Sequence, residues 1–380
     1  MYISAPTDSG NIDVIDASNP GNIRLAIRKD AHADYFQWFY FRAVGGRDVD
    51  CALVIENASA ASYTKGWNGY RAVASYDRQT WFRVPTDYDG TRLTIKHRPK
   101  HDAVYYAYFA AYPLERCQDF IAQSQLSDRA RLECLGQTLD GEDLDMLVIG
   151  HNSGGAENPD KRKCWVIGRQ HPGETQASYW MEGFVDRMLD PADPVARSVL
   201  DAATLYVVPN MNPDGSRRGN LRVNASGANL NREWADPTME KSPEVYLVRE
   251  RMRDTGVDFC LDVHGDEGLP YVFIAGSDGI PSLTPKLSEL RLAFDAALMR
   301  ANPDYQTEHG YPKAPAGKGN LTMCTAHVAE HFGCLAMTLE MPFKDNANAP
   351  DEAEGWSPDR CRWQGRGGLD ALFAVVGDLR

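Results

Sequence analysis

Apolar positions along the chain fall into two regimes. From about residue 20 to residue 110 they form short runs at 35–42, 52–56, 80–84, 92–96 and 103–109, dense in aromatics and without a helical period. Gly45-Gly46 and Tyr88-Asp89-Gly90 separate them, as turn residues do. Short strands at this spacing predict an antiparallel β-sandwich. Beyond Pro113 apolar strands alternate with amphipathic stretches. Strands are predicted at 144–150, 164–170, 204–210, 259–264, 271–275 and 335–341, and helices at 175–189, 242–255, 281–300, 321–332 and from Gly368 onward. Ser242-Pro243 supplies a cap and first-turn pair for one of them. This alternation predicts an α/β domain whose mixed, mostly parallel sheet is covered by helices on both faces. The expected division is an N-terminal β-sandwich at 1–112 and a second domain at 113–380.

In such sheets ligands bind at the carboxyl ends of the strands, and three of the predicted strands end in chemistry. One delivers His171-Pro172-Gly173-Glu174 into a turn, the second releases His264 before a glycine, and the third holds Glu340 in an otherwise apolar run. Two imidazoles and a carboxylate, with a fourth position open, are the donor set of a catalytic zinc site. An isolated H-x-x-E is weak evidence among nine histidines. The chain also holds a rival, His327-Val328-Ala329-Glu330-His331, whose spacing sets both imidazoles one turn apart on a predicted helix. The strand-end set is preferred. A carboxylate in an apolar strand is costly to bury, whereas the helical set follows an ordinary 3.6-residue pattern. The alternative for Glu340 is an ion pair with Lys344 or Arg232.

Charge and cysteine usage narrow the setting. A net charge of −13 argues against nucleic acid or an anionic membrane as partner. No run approaches the roughly 18 apolar residues of a membrane span, and residues 1–8 lack the pattern of a secretory signal. The eight cysteines include no C-x-x-C pair, and Cys164 and Cys260 lie inside apolar strands, which fits a reducing cytoplasm.

The motifs together resemble the M14 metallocarboxypeptidases, in particular the cytosolic carboxypeptidase subfamily. His171-Pro172-Gly173-Glu174, the stretches 209–215 and 219–222, Asn229-Leu230-Asn231-Arg232, Asp262-Val263-His264 and Thr338-Leu339-Glu340 occur in that family's order. Gln37 to Arg42 and Ala111-Tyr112-Pro113 are similar to its upstream sandwich and junction. The resemblance implies one zinc ion held by His171, Glu174 and His264, with Glu340 as general base and Arg222 stabilising the oxyanion. It implies Asn231 and Arg232 as the grip on a substrate's terminal carboxylate. Peptide or protein C-terminal tails become the expected partners, acidic ones included, because Lys313 and Lys318 stand in a Gly/Pro-rich loop; their other reading is solvated loop lysines.

One departure is Asn229, where the family carries an aspartate beside the first zinc histidine. Asp262 either supports His264 or is a plain strand-end carboxylate. Neither Tyr305 nor Tyr311 sits in a motif that marks it as the tyrosine closing over substrate, and residues 210–215 are expected to form a structural turn. Two other functions compete. One is an amidase or deacylase of small N-acyl amino acids on the same fold; the other is a peptide-binding protein without turnover. Oligomeric state is open.

Overall fold

The computed structural model describes residues 1–150 and 158–379. Its first part comprises β1 (Tyr2–Ser4), β2 (Asp13–Asp16), β3 (Ile23–Ala26), β4 (Tyr40–Val44) and β5 (Cys51–Ile55), then β6 (Val73–Ser75), β7 (Phe82–Arg83), β8 (Thr86–Tyr88), β9 (Leu93–His97) and β10 (Ala103–Ala107). One sheet runs β1-β4-β10-β6-β7, with every pairing antiparallel; the other runs β2-β3-β5-β9-β8, where β3 and β5 are parallel. Inward residues Phe41, Leu53, Ile55, Ile95 and Tyr106 are fully buried, and the Phe41 and Tyr106 rings meet at 5.3 Å. The run at 35–42 enters the sheet only at Tyr40. Phe36 and Gln37 bond instead to a neighbouring loop, Ser62 N to Phe36 O at 3.0 Å and Tyr63 N to Gln37 Oε1 at 2.8 Å.

The second part holds α1 (Leu114–Ser124), β11 (Ala130–Gln137), β12 (Asp143–Ile149), β13 (Arg162–Gly168), α2 (Gln176–Leu189), α3 (Pro194–Ala202), β14 (Ala203–Val208) and α4 (Pro213–Arg218). It continues with α5 (Pro243–Thr255), β15 (Phe259–Val263), β16 (Phe273–Gly276), α6 (Pro285–Ala301), α7 (Cys324–Phe332), β17 (Leu335–Glu340) and α8 (Pro358–Val375). Seven strands form one sheet in the order β11-β12-β14-β13-β15-β17-β16. Parallel pairing is confined to the central four, β14, β13, β15 and β17, and the outer strands pair antiparallel. Alternate side chains of the central strands feed two cores. Val166, Leu261 and Met337 pack with α2, α6 and α8, while Ile167, Cys260 and Ala336 pack with α5 and α7.

The cores of the sandwich and of the first sheet face are continuous, and Tyr108 stacks on Phe343 at 4.6 Å. Helix α8 begins ten residues before the predicted start, at the Ser357 cap and Pro358. Its glycines hide it from a periodicity reading, yet they are required. A Cβ on Gly365 would lie 2.1 Å from Trp180 O, so α8 and α2 touch backbone to backbone. Among the described residues no helix is long and apolar enough to cross a membrane.

Candidate active site

The parallel centre sets the carboxyl ends of β13, β15 and β17 side by side, and the candidate residues emerge there. Beyond β13 the chain turns at Arg169, whose φ is +61°. That conformation is uncommon for a residue with a Cβ, and the side chain holds it. The buried guanidinium donates to Pro172 O at 2.9 and 2.7 Å and to Ser178 Oγ at 2.8 Å, and burial lowers its pKa to about 10. The clamp fixes the 171–174 turn ahead of α2. Gly173 is needed because a Cβ there would meet Leu221 O at 2.9 Å.

His171, Glu174 and His264 are buried, and one ligand atom from each lies within 4.8 Å of the others. Both Nδ1 atoms face the same carboxylate: His171 at 2.7 Å from Glu174 Oε1, His264 at 2.7 Å from Oε2. Both Nε2 atoms face away, to Asn229 Oδ1 at 3.0 Å and Asp262 Oδ2 at 2.8 Å. An Nε2–H donated outward to Asn229 or Asp262 leaves Nδ1, the nitrogen beside Glu174, as the one that would ligate a metal. The donor set and its orientation fit zinc. Asp262 therefore supports His264, and it also accepts from Gln170 Nε2 at 2.6 Å, while Gln170 Oε1 accepts from Trp234 Nε1 at 2.8 Å. Asn229 stands where the sequence analysis placed the departure, and it also caps the turn at Leu230 by accepting from Asn231 N at 3.1 Å.

The electrostatics follow from burial and these neighbours. Burial and then Arg222 lower the pKa of His171 to about 4. Against burial, Asp262 and Glu174 raise that of His264 well above the usual imidazole range. Burial also opposes ionisation of Glu174, but the two histidines outweigh it and hold the carboxyl below its ordinary value. Glu340 is raised well above it, first by burial and then by nearby acids, with His264 opposing.

His171, Glu174, Arg222, Asn231, Arg232 and Glu340 line one cavity of about 630 Å³, with Tyr63, Asp266, Glu267 and Tyr311. Glu340 is 7% exposed, and its Oε2 has no hydrogen-bond partner. Its Oε1 accepts from Tyr311 Oη at 3.3 Å, and that hydroxyl also donates to Asp266 Oδ2 at 2.5 Å. Lys344 donates instead to Asn68 O at 2.9 Å. Of the two loop tyrosines, Tyr311 thus lines the cavity beside Glu340, while Tyr305 is buried against Asp295. Asn231 Oδ1 accepts from Cys324 N at 2.9 Å, capping α7 and leaving the side-chain NH₂ as donor. Arg232 is exposed and touches Asn231 O at 2.6 Å.

Residues 210–215 build structure, as expected. Asn212 accepts from Gly215 N at 3.0 Å to cap α4, which continues what the sequence showed only as a turn, and it donates to Gln170 O at 3.0 Å. The rival set separates: His327 and His331 stack at 5.7 Å, but Glu330 turns away to Ser282 Oγ at 2.8 Å. Lys313 pairs with Asp278 at 3.0 Å. With Lys318 it lines an adjoining cavity of about 920 Å³ that shares Tyr311 and Met323 with the site. Sequence reasoning passed over Arg169, Gln170, Glu267 and the sandwich residues Asp30, Tyr35 and Tyr63. Gln170, Asp30, Tyr35 and Tyr63 act through contacts distant in sequence, Arg169 acts on its own turn, Glu267 lines the cavity, and none stands in a spacing motif.

Comparisons with known proteins agree along the chain. Residues 3–109 match the cytosolic carboxypeptidase N-terminal domain, and residues 119–354 match zinc carboxypeptidase. An uncharacterized protein of Zymomonas mobilis is 45% identical over 379 residues, spanning 100% of this chain and 97% of its own. Mouse cytosolic carboxypeptidase 6 is 28% identical over 303 residues, or 73% of this chain and 55% of the longer relative. A solved structure of a Pseudomonas aeruginosa metallo-carboxypeptidase, in complex with (2-guanidinoethylmercapto)succinic acid, superposes with a TM-score of 0.95 at 42% identity, covering 100% of both chains.

Proposed function

The chain belongs to the zinc carboxypeptidase family, and from that premise we propose that it removes C-terminal residues from peptides or protein tails. The observation that carries this reading is one cavity whose wall holds His171 and Glu174 of the metal-type donor set, an unpartnered carboxylate oxygen of Glu340 and two arginines, with His264 directly behind Glu174. His171, Glu174 and His264 would hold one zinc ion. Zinc bound there supplies a Lewis acid that polarises the scissile carbonyl and lowers the pKa of water.

Glu340 acts as the general base. Its free Oε2 takes a proton from the attacking water and returns it to the leaving amine. Burial raises the proton affinity that this exchange needs, and Tyr311 occupies the other oxygen. Arg222 stabilises the negative charge that develops on the carbonyl oxygen. Arg232 and the Asn231 amide grip the substrate's terminal carboxylate, which a planar guanidinium binds through both oxygens. The Pseudomonas relative's ligand is itself a dicarboxylic acid, in keeping with such a grip. The adjoining cavity takes the terminal side chain, and Lys318 in its wall favours an acidic one. We place the domain boundary at 112/113. We assign the enzyme to the cytoplasm on its eight free cysteines.

A matched pair of peptides, one with a free C-terminus and one amidated, tests the grip. Wild type should prefer the free acid by at least about a hundredfold in kcat/KM, and Arg232→Ala should remove most of that preference. A wild type that cleaves both equally contradicts the exopeptidase reading.

A further inference from the structure

We infer that the N-terminal sandwich is part of the catalytic apparatus, and that Asp30 is a positioning residue fixing the segment that carries Arg222. This rests on the role proposed above for Arg222. Asp30 follows β3 and is 3% exposed. Its Oδ1 accepts from Leu221 N at 2.6 Å, and its Oδ2 accepts from Arg222 N at 2.7 Å and Val223 N at 3.2 Å. One carboxylate thus gathers three successive amides of a segment outside any helix or strand. Within the second domain that segment is held through its carbonyls, Leu221 O by Gly173 N at 2.9 Å and Val223 O by Asn220 Nδ2 at 2.9 Å. Its amides go to the sandwich.

The Arg222 side chain is confined from the same direction. Its guanidinium lies 5.7 Å from the Tyr35 ring and 5.6 Å from the Tyr63 ring, both on the sandwich. Tyr63 is placed by the fully buried Gln37, whose Oε1 accepts from Tyr63 N at 2.8 Å and whose Nε2 donates to Tyr63 O at 3.2 Å. Backbone and side chain of Arg222 are therefore both set by residues at least 150 positions away in sequence. A donor that stabilises charge appearing only in the transition state must already point at its target, because reorganisation would consume the gain. This accounts for two segments outside the sandwich sheets: 62–66, which forms part of the cavity wall, and 30–37, which lies against the Arg222 segment.

The competing role for Asp30 is domain adhesion. The domains share many other contacts, among them Ser9 N to Arg217 O at 2.9 Å, Asn11 Nδ2 to Gly219 O at 2.9 Å and the Tyr108–Phe343 stack. Loss of Asp30 should thus disturb Arg222 before it disturbs the fold.

The test uses full-length Asp30→Ala, Asp30→Asn (which keeps the shape and one acceptor oxygen), Arg222→Ala, and Arg222→Ala combined with Asp30→Ala. Amide hydrogen exchange at 221–223 should quicken by about tenfold or more in Asp30→Ala, with less change elsewhere. With a zinc-loaded peptide assay, Asp30→Ala should lower kcat by about tenfold to a hundredfold with KM within about twofold, and Asp30→Asn should lie between it and wild type. In the Arg222→Ala background, Asp30→Ala should change kcat by less than about twofold. Unchanged exchange at 221–223 in both Asp30 variants overturns the inference, and so do losses that multiply in the double variant. If wild type cleaves no peptide, the carboxypeptidase reading fails, and exchange alone still decides whether Asp30 holds the segment.

Discussion

Replacing Asp262 with asparagine isolates what one buried carboxylate contributes to metal binding. Asp262 is fully buried, its Oδ2 accepts from His264 Nε2 at 2.8 Å and from Gln170 Nε2 at 2.6 Å, and its Oδ1 has no partner. An asparagine carbonyl at Oδ2 keeps both hydrogen bonds and the volume, so charge is the main thing lost. A carboxylate behind a ligating imidazole fixes its tautomer and raises its basicity, and its removal typically weakens metal binding ten- to a hundredfold. That is about 1.4 to 2.7 kcal/mol. Proton competition works in the opposite sense. Asp262 and Glu174 raise the proton affinity of His264, so the wild type surrenders more of its advantage at low pH. The asparagine variant should therefore bind zinc ten- to a hundredfold more weakly at pH 8.5, with a smaller deficit at pH 6. Titration against a competing fluorescent chelator at both pH values measures this. Equal affinities at pH 8.5, or a deficit that grows as pH falls, would refute the reasoning.

Further outcomes follow from the same geometry. Glu340→Gln should lower kcat between about a hundredfold and ten-thousandfold. It should keep peptide binding by calorimetry and melt no lower than wild type, since a buried, half-unpartnered carboxylate is removed. Arg169→Met leaves Pro172 O and Ser178 Oγ without their donor, at a cost of about 2–4 kcal/mol, to be read as a fall of several degrees in Tm. Glu244, buried at the start of α5 beside Asn224, has its pKa raised from 4.5 to about 8 by burial. Below pH 4.5 both the folded and unfolded chain keep this proton. As pH climbs toward 8 the unfolded chain alone releases it, so this group lowers stability by a few kcal/mol over that window. Urea unfolding of Glu244→Gln should accordingly show a shallower decline in stability from pH 5 to pH 8; identical slopes would contradict this account.

The site was legible where chemistry rides on local order. His171, Glu174, His264 and Glu340 stand at strand ends, and alternation of apolar strands with helices marks those ends. Tyr311 was not, because it reaches Glu340 from a loop with no regular period. Elements escaped for physical reasons too. β11 is an edge strand whose apolar residues Leu132 and Cys134 are exposed while its charged residues Arg131 and Glu133 are half-buried, so it lacks a clean inward apolar pattern, and α8 is masked by glycines that serve helix contact. The sandwich was readable as strands, yet its contacts with the Arg222 segment through Asp30, Tyr35 and Tyr63 depend on pairs far apart in sequence, which a single chain's pattern does not encode.

The central claim is exopeptidase chemistry at this cavity, and its most direct measurement is mass spectrometry of a peptide panel after incubation with zinc-loaded protein. The panel varies the last residue, includes a glutamate tail, amidated controls and N-acyl amino acids. Stepwise loss of single C-terminal residues, abolished by amidation, is the predicted result. Cleavage of acyl amino acids alone, or of nothing in the panel, would contradict it.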